Sequence, residues 1–217
     1  MFVKVCGNTS EDDALLAVAM GADAVGFVFA PSPRQISPSK AADIVKRLPP
    51  EILTVGVFRD EMAGRVVSLA QEAGVQAVQL HGRETPEDAR WIRQRVGLLI
   101  KAFPAGDPKV RQAAEFGADT ILLDAPEPGS GEVFDWALAS ELPGGQRLMI
   151  AGGLNIGNVA TAIAQTQPWG VDVASGVERS PGRKDPVKLR EFIAAAKAAS
   201  PLRYEPGDDV PYDWQDS

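Results

Sequence analysis

The chain has 217 residues, of which 45% are apolar and 24% are charged, and its formal net charge is −7 at pH 7. This length suits one large domain, and the apolar fraction is sufficient for a substantial core, which excludes disorder for most of the chain. The negative long-range field repels phosphate backbones and anionic lipids. Neither nucleic acid nor a membrane is therefore expected as a partner.

The chain contains one cysteine, Cys6, and one histidine, His81. One cysteine cannot form an internal disulfide, and the two residues together cannot supply a Cys/His zinc cluster. The first ten residues lack the basic start and the apolar stretch of a secretory signal, and no run approaches the roughly 18 apolar residues of a membrane span. We therefore expect a reducing, cytoplasmic location.

Short apolar runs rich in Val, Ile, Leu and Phe alternate with longer amphipathic stretches, which is the pattern of a strand followed by a helix. Eight strands are predicted, at Val3–Cys6, Ala24–Phe29, Leu53–Phe58, Ala77–His81, Leu98–Phe103, Thr120–Asp124, Arg147–Ala151 and Val171–Ala174. Residues that favour helix starts or helix ends flank several of the intervening segments, at Ser10, Ser37, Thr85 and Asp185 and at Gly21, Gly74 and Gly117.

Eight strand–helix units with right-handed crossovers predict an α/β fold, a single (β/α)8 TIM barrel. An open, doubly wound sheet is the alternative. It would leave exposed sheet edges, and the segment after the first strand lacks the glycine-rich dinucleotide fingerprint, so the closed barrel is favoured.

The segment 201–217 differs in composition from the rest, because it carries one arginine against five carboxylates. We expect a barrel domain over residues 1–200 and a flexible acidic tail over residues 201–217. Docking of the tail on the barrel, through its aromatic residues and prolines, is the alternative.

Functional groups of such barrels lie at the carboxyl ends of the strands and in the loops that follow. That rule selects Cys6, Arg34, Arg59, His81 and Asp124 as candidates. A lone cysteine or histidine on an apolar strand is more often structural. Asp124 is a stronger candidate, because its carboxylate ends the apolar run Thr120–Leu123 and would be costly to bury unless it faced the open mouth.

Glycines follow the last two predicted strands, as Gly152 and Gly153 after the seventh and as Ser175 and Gly176 after the eighth. These two loops bind phosphate in many barrels, through close backbone approach and the positive end of a short helix. Simple tight turns are the alternative.

The sixth loop contains Gly129-Ser130-Gly131, which predicts either a lid over a bound ligand or an ordinary surface loop.

Taken together, several strings in this sequence resemble the phosphoribosylanthranilate isomerase family, and the match runs in order from about Val3 to Ala196. The strings are Lys4-Val5-Cys6-Gly7, Gly26-Phe27-Val28-Phe29, Ser32-Pro33-Arg34, Val78-Gln79-Leu80-His81-Gly82, Ala151-Gly152-Gly153-Leu154, Gly170-Val171-Asp172-Val173-Ala174-Ser175-Gly176-Val177-Glu178 and Pro181-Gly182-Arg183-Lys184-Asp185.

The resemblance implies an Amadori rearrangement of N-(5′-phosphoribosyl)anthranilate in tryptophan biosynthesis, without cofactor or metal. By the family pattern, Cys6 is the general base, Asp124 is the general acid and Arg34 contacts the anthranilate carboxylate. The seventh and eighth loops hold the phosphate. We assign His81 and Asp172 to the sugar hydroxyls, because they lie at or near strand ends.

Chemistry and geometry agree with this pair, since ring opening needs an acid and removal of the C2′ proton needs a base. Strands about 4.8 Å apart and tilted about 36° place strands 1 and 6 roughly 14 Å apart, which leaves space for a ribose. Lys4 shares the parity of Cys6, so it either lowers the pKa of the thiol or pairs with Asp172 on the neighbouring strand.

Two other functions stay open from the residues alone. One is another phosphosugar barrel isomerase or lyase, and the other is a barrel that binds a phosphorylated ligand without catalysis. For the isomerase, the expected partner is a small phosphoribosyl substrate, and the chain is expected to be a monomer or a homodimer.

Overall fold

The computed structural model of the protein describes residues 1–126, 133–142 and 145–200. The predicted lid at Gly129-Ser130-Gly131 and the acidic tail 201–217 lie outside the described residues.

Eight parallel strands form a closed barrel in chain order, and the first strand pairs with the eighth. The strands are β1 Phe2–Val5, β2 Ala24–Val28, β3 Leu53–Phe58, β4 Ala77–Leu80, β5 Leu98–Pro104, β6 Thr120–Asp124, β7 Arg147–Ile150 and β8 Gly170–Val173. The prediction of a (β/α)8 barrel is confirmed, and the alternative open sheet is wrong. Each predicted strand limit agrees with the observed one to within one residue.

Helices surround the barrel and follow most strands. They are α1 Glu11–Ala19, α2 Pro38–Val45, α3 Ala63–Ala73, α4 Pro86–Arg93, α5 Val159–Thr166 and α6 Pro186–Ala198. The predicted helix starts are confirmed, because the side chains of Ser10, Ser37, Thr85 and Asp185 each accept a hydrogen bond from a backbone N–H of the first turn. Among the described residues, no helix has the length and apolar character needed to cross a membrane.

The segments after β5 and β6 are 3-10 helices, Pro108–Phe116 and Trp136–Glu141, where regular α-helices were expected. Over so few residues, a hydrophobic pattern does not separate a period of 3.0 from one of 3.6. After β8 the chain adds a further short 3-10 helix, Ser175–Val177, and a small antiparallel pair formed by β9 Glu178–Ser180 and β10 Arg183–Lys184.

The core has two layers, as expected for strands whose side chains alternate in direction. Outward-facing residues pack against the helices, and an inner cluster fills the barrel with Ala24, Val55, Ala77, Ile100, Ala102, Leu122, Met149 and Ala151. Nearer the carboxyl ends the buried residues include the polar side chains of Lys4, Gln79 and Asp172. The barrel is therefore apolar below and polar at the mouth.

Candidate active site

A cavity of about 320 Å³ opens at the carboxyl ends of the strands. It is lined by all five residues that were predicted to catalyse or to bind substrate away from the phosphate: Cys6, Arg34, His81, Asp124 and Asp172. The cavity therefore presents a thiol and a carboxyl group to one small volume, from β1 and β6 of the same barrel.

A smaller cavity of about 60 Å³ adjoins the first and shares Asp124 and Asp172 with it. The predicted phosphate-binding residues Gly152, Gly153 and Ser175 line this smaller cavity. Gly176 lies behind them, where a Cβ atom would be 1.9 Å from the carbonyl oxygen of Leu154. Only glycine therefore allows the loops after β7 and β8 to approach this closely.

The thiol of Cys6 lies beside a buried ion pair. Lys4 Nζ is 2.9 Å from Asp172 Oδ1, and a Cβ atom on Gly26 would lie 3.2 Å from Lys4 Nζ and 2.8 Å from Cys6 Sγ. The two roles that were considered for Lys4 are thus not exclusive, because its ammonium group lies next to both partners.

The charges around Cys6 act in opposite directions on its pKa. Burial raises the pKa of the Cys6 thiol above its ordinary value, and the positive charge of Lys4 opposes this increase without cancelling it. Burial also disfavours the charged form of Lys4, but the neighbouring Asp172 and Cys6 outweigh burial and raise the pKa of the ammonium group. Lys4 therefore stays protonated beside the thiol.

Asp124 is held by contacts on both carboxylate oxygens. Oδ1 accepts a hydrogen bond from the backbone N–H of Ala125 at 2.8 Å, and Oδ2 lies 3.1 Å from His81 Nε2. On the other side of the ring, Gln79 Nε2 is 3.0 Å from His81 Nδ1. The buried Nε2 atom makes no hydrogen bond with a described residue despite its closeness to Asp124, so it can still bind a ligand hydroxyl group.

Arg34 reaches the cavity from the loop after β2, and one edge of its guanidinium group binds the carboxylate of Glu178. Glu178 also accepts a hydrogen bond from the buried Lys184.

Sequence reasoning missed Gln79, Glu178 and Lys184. The position of Gln79, two residues before His81 on the same strand face, was the one indication available, whereas Glu178 and Lys184 meet only through the β9–β10 pair.

A thiol and a carboxyl group that share one cavity, beside glycine loops of the kind that bind phosphate, define an acid–base barrel enzyme for a small phosphorylated substrate. The comparisons with known proteins agree with this class. A family model described as N-(5′-phosphoribosyl)anthranilate (PRA) isomerase matches residues 3–195. The chain belongs to this family.

Individual relatives match about nine tenths of the chain. An N-(5′-phosphoribosyl)anthranilate isomerase from Desulforudis audaxviator is 50% identical over 204 residues, which is 91% of this chain and 98% of the relative. A phosphoribosyl anthranilate isomerase in complex with reduced 1-(o-carboxyphenylamino)-1-deoxyribulose 5-phosphate has a TM-score of 0.81 and 41% identity, with 91% and 99% of the two chains covered. Monomers generated from the dimeric enzyme of Thermotoga maritima match with a TM-score of 0.81 and 40% identity over the same shares.

The activity is that of the family. The chain is an intramolecular isomerase of tryptophan biosynthesis that converts N-(5′-phosphoribosyl)anthranilate into 1-(2-carboxyphenylamino)-1-deoxyribulose 5-phosphate. This confirms the function implied by the sequence resemblance, and it sets aside another phosphosugar enzyme and a non-catalytic binding barrel.

Proposed function

We propose that Cys6 is the general base and Asp124 the general acid of this isomerisation. The observation that carries the proposal is the single cavity lined by both groups, with the Lys4 ammonium beside the thiol and His81 Nε2 3.1 Å from the Asp124 carboxyl group. The positive charge of Lys4 favours the thiolate form that a base requires.

In the first step, Asp124 gives its proton to the furanose ring oxygen, the bond between that oxygen and C1′ breaks, and the anthranilate nitrogen forms an iminium ion with C1′. In the second step, the Cys6 thiolate removes the proton on C2′. The released electron pair forms the C1′–C2′ double bond, and the iminium π pair returns to nitrogen. The resulting enolamine becomes the ketone when its C2′ hydroxyl loses a proton and C1′ gains one.

The remaining residues hold the substrate. We assign the phosphate group to the smaller cavity at Gly152, Gly153, Ser175 and Gly176, where glycines allow close approach to backbone N–H groups. Arg34 takes the carboxylate of the aromatic ring.

His81 and Asp172 contact the ribose hydroxyls on the wall between these two ends. Asp172 uses Oδ1 for Lys4, which leaves Oδ2 to accept a hydrogen bond from the sugar. These contacts place the C1′–C2′ bond between the base and the acid.

The wider setting follows from the family. We propose that the chain acts in the cytoplasm on a small phosphoribosyl substrate, as a monomer or as a homodimer. The domain limits stay a prediction, with the catalytic barrel over residues 1–200 and the acidic tail over residues 201–217.

The decisive experiment follows the loss of anthranilate fluorescence during turnover of phosphoribosylanthranilate. Cys6→Ser and Asp124→Asn should each reduce kcat by about 100-fold or more, since each removes one proton-transfer group. Their Kd for the reduced product analogue should stay near that of the wild type. Asp43→Asn, an exposed carboxylate on α2, is the matched control and should keep full activity. Full turnover by Cys6→Ser would falsify the assignment of the base.

A further inference from the structure

Three charged side chains form a continuous cluster at one wall of the cavity: Arg34, Glu178 and Lys184. Arg34 Nε donates to both oxygens of Glu178, at 2.9 and 3.1 Å, and Arg34 Nη2 donates to Oε2 at 2.8 Å. Lys184 Nζ donates to Oε1 at 3.0 Å. The carboxylate is therefore fully occupied by the two cations.

Lys184 connects this cluster to the base. Its ammonium group is buried, and it donates to the backbone carbonyl of Cys6 at 2.5 Å and to that of Ala174 at 3.5 Å. One side chain thus joins the end of β1, the end of β8 and the carboxylate that holds Arg34. A displacement of Glu178 would therefore shift both the backbone at Cys6, through Lys184, and the side chain of Arg34.

The direction of Arg34 is also fixed along its aliphatic part. Gly7 has a φ of +75°, and a Cβ atom there would lie 2.6 Å from Arg34 Cδ. The loop after β1 therefore accommodates the Arg34 side chain only because residue 7 is glycine. With Nε and Nη2 bound to Glu178, no described residue accepts a hydrogen bond from Nη1.

Burial acts on both partners of the Lys184–Glu178 pair, and it lowers the pKa of the Lys184 ammonium group despite the attraction of Glu178. Burial alone would raise the pKa of the Glu178 carboxyl, but the hydrogen bonds from Arg34 and the charge of Lys184 outweigh burial and lower it. An isolated buried charge of either sign would be costly, so the three groups depend on one another.

We propose that Glu178, itself held by Lys184, is a positioning residue that directs the free Nη1 edge of Arg34 at the aromatic carboxylate, and so sets the selectivity for an ortho-carboxylated aryl amine. This inference rests on the proposed role of Arg34. Arginine recognises a carboxylate through a planar arrangement of N–H groups, so a guanidinium group fixed in direction discriminates better than a mobile one.

The test compares the Kd values of two probes. The first is reduced 1-(o-carboxyphenylamino)-1-deoxyribulose 5-phosphate, and the second is the same compound without the ring carboxylate. The Kd of the second probe divided by the Kd of the first measures selectivity for the carboxylate. This ratio is independent of how well the phosphate and sugar are held.

In Glu178→Gln, we expect this ratio to fall by roughly 10- to 100-fold, because a misdirected guanidinium group loses its carboxylate contact. The Kd of the second probe should stay within about threefold of the wild-type value. Glu191→Gln, an exposed carboxylate on α6, is the matched control and should leave both Kd values unchanged. If Glu178→Gln does not fold, Glu178→Asp keeps the negative charge but shortens the side chain, and its ratio should fall as well.

Two outcomes distinguish the inference from the proposed function beneath it. If Glu178→Gln weakens both probes equally, or changes neither, Glu178 does not set selectivity and the inference is wrong. If Arg34→Gln keeps the wild-type ratio, the assignment of Arg34 to the carboxylate is itself wrong. Loss of the ratio in both variants supports both statements.

Discussion

Gly176→Ala tests the close packing of the two loops assigned to the phosphate. The added Cβ atom would lie 1.9 Å from the Leu154 carbonyl oxygen and 2.9 Å from its carbon, and 3.2 Å from Asn155 Cα. All three are backbone atoms, so no side-chain rotation relieves the overlap. To reach a separation of 3.0 Å from the oxygen, the loops must move apart by about 1.1 Å.

Overpacking of this kind costs about 1–3 kcal/mol, and for a domain of this size each kcal/mol lowers Tm by about 2–4 °C. A displacement near 1 Å in a substrate-positioning loop reduces kcat/KM by roughly 100-fold. Because the phosphate is held equally before and during reaction, most of the loss should be an increase in KM. Fluorescence-based steady-state kinetics and thermal unfolding measure the two effects.

Gly64→Ala is the control, since Gly64 lies in α3 with nothing within 4 Å of the added Cβ atom. It should leave kcat/KM unchanged and stabilise the protein by at most about 1 kcal/mol. A Gly176→Ala variant with wild-type KM and wild-type Tm would refute both the tight approach of the loops and their role in holding phosphate.

Two further predictions concern ionisation. Lys4→Met should raise the pKa of the Cys6 thiol further and slow its alkylation by iodoacetamide at pH 8, whereas Asp172→Asn should lower that pKa and accelerate alkylation. Because Cys6 is the only cysteine in the sequence, the reaction reports on this thiol alone. Identical pH profiles of alkylation for Lys4→Met and wild type would contradict an effect of Lys4 on the thiol pKa. Because the pKa of Glu178 is lowered by folding, its stabilisation is complete above the unfolded value of about 4.3 and is lost as the pH falls through the folded value. The difference in free energy of unfolding between wild type and Glu178→Gln, from urea titrations, should therefore shrink between pH 6 and pH 3, and a constant difference would disprove the shift.

The barrel was predictable because its pattern is repeated and local. Apolar runs of four to seven residues recur along the chain, and capping residues or glycines flank several of the segments between them. Strand parity, together with the rule for carboxyl ends, places Cys6 and Asp124 at one mouth. Even so, Cys6 lies one residue beyond β1, where its backbone N–H still donates to Val173 at 2.8 Å.

The support around the site was not predictable to the same extent. Glu178 and Lys184 belong to strands of three and two residues, and their pairing includes a register shift that no local pattern reveals. The contact between Arg34 and Glu178 joins positions 144 residues apart. Such a contact depends on how the ends of β2 and β8 are placed by barrel closure, which is a property of the whole fold.

The charges at the mouth explain how an acidic chain binds an anionic substrate. A net charge of −7 argues against nucleic acid, where many phosphates must be neutralised at once. Around the site, Lys4, Lys184 and Arg34 carry three positive charges against the two negative charges of Asp172 and Glu178, so this group of paired residues has one positive charge in excess. Exposed charges more than about 8 Å away are largely screened at physiological salt. If Arg34 binds the substrate carboxylate as proposed, that carboxylate meets this local positive charge rather than the net charge of the protein.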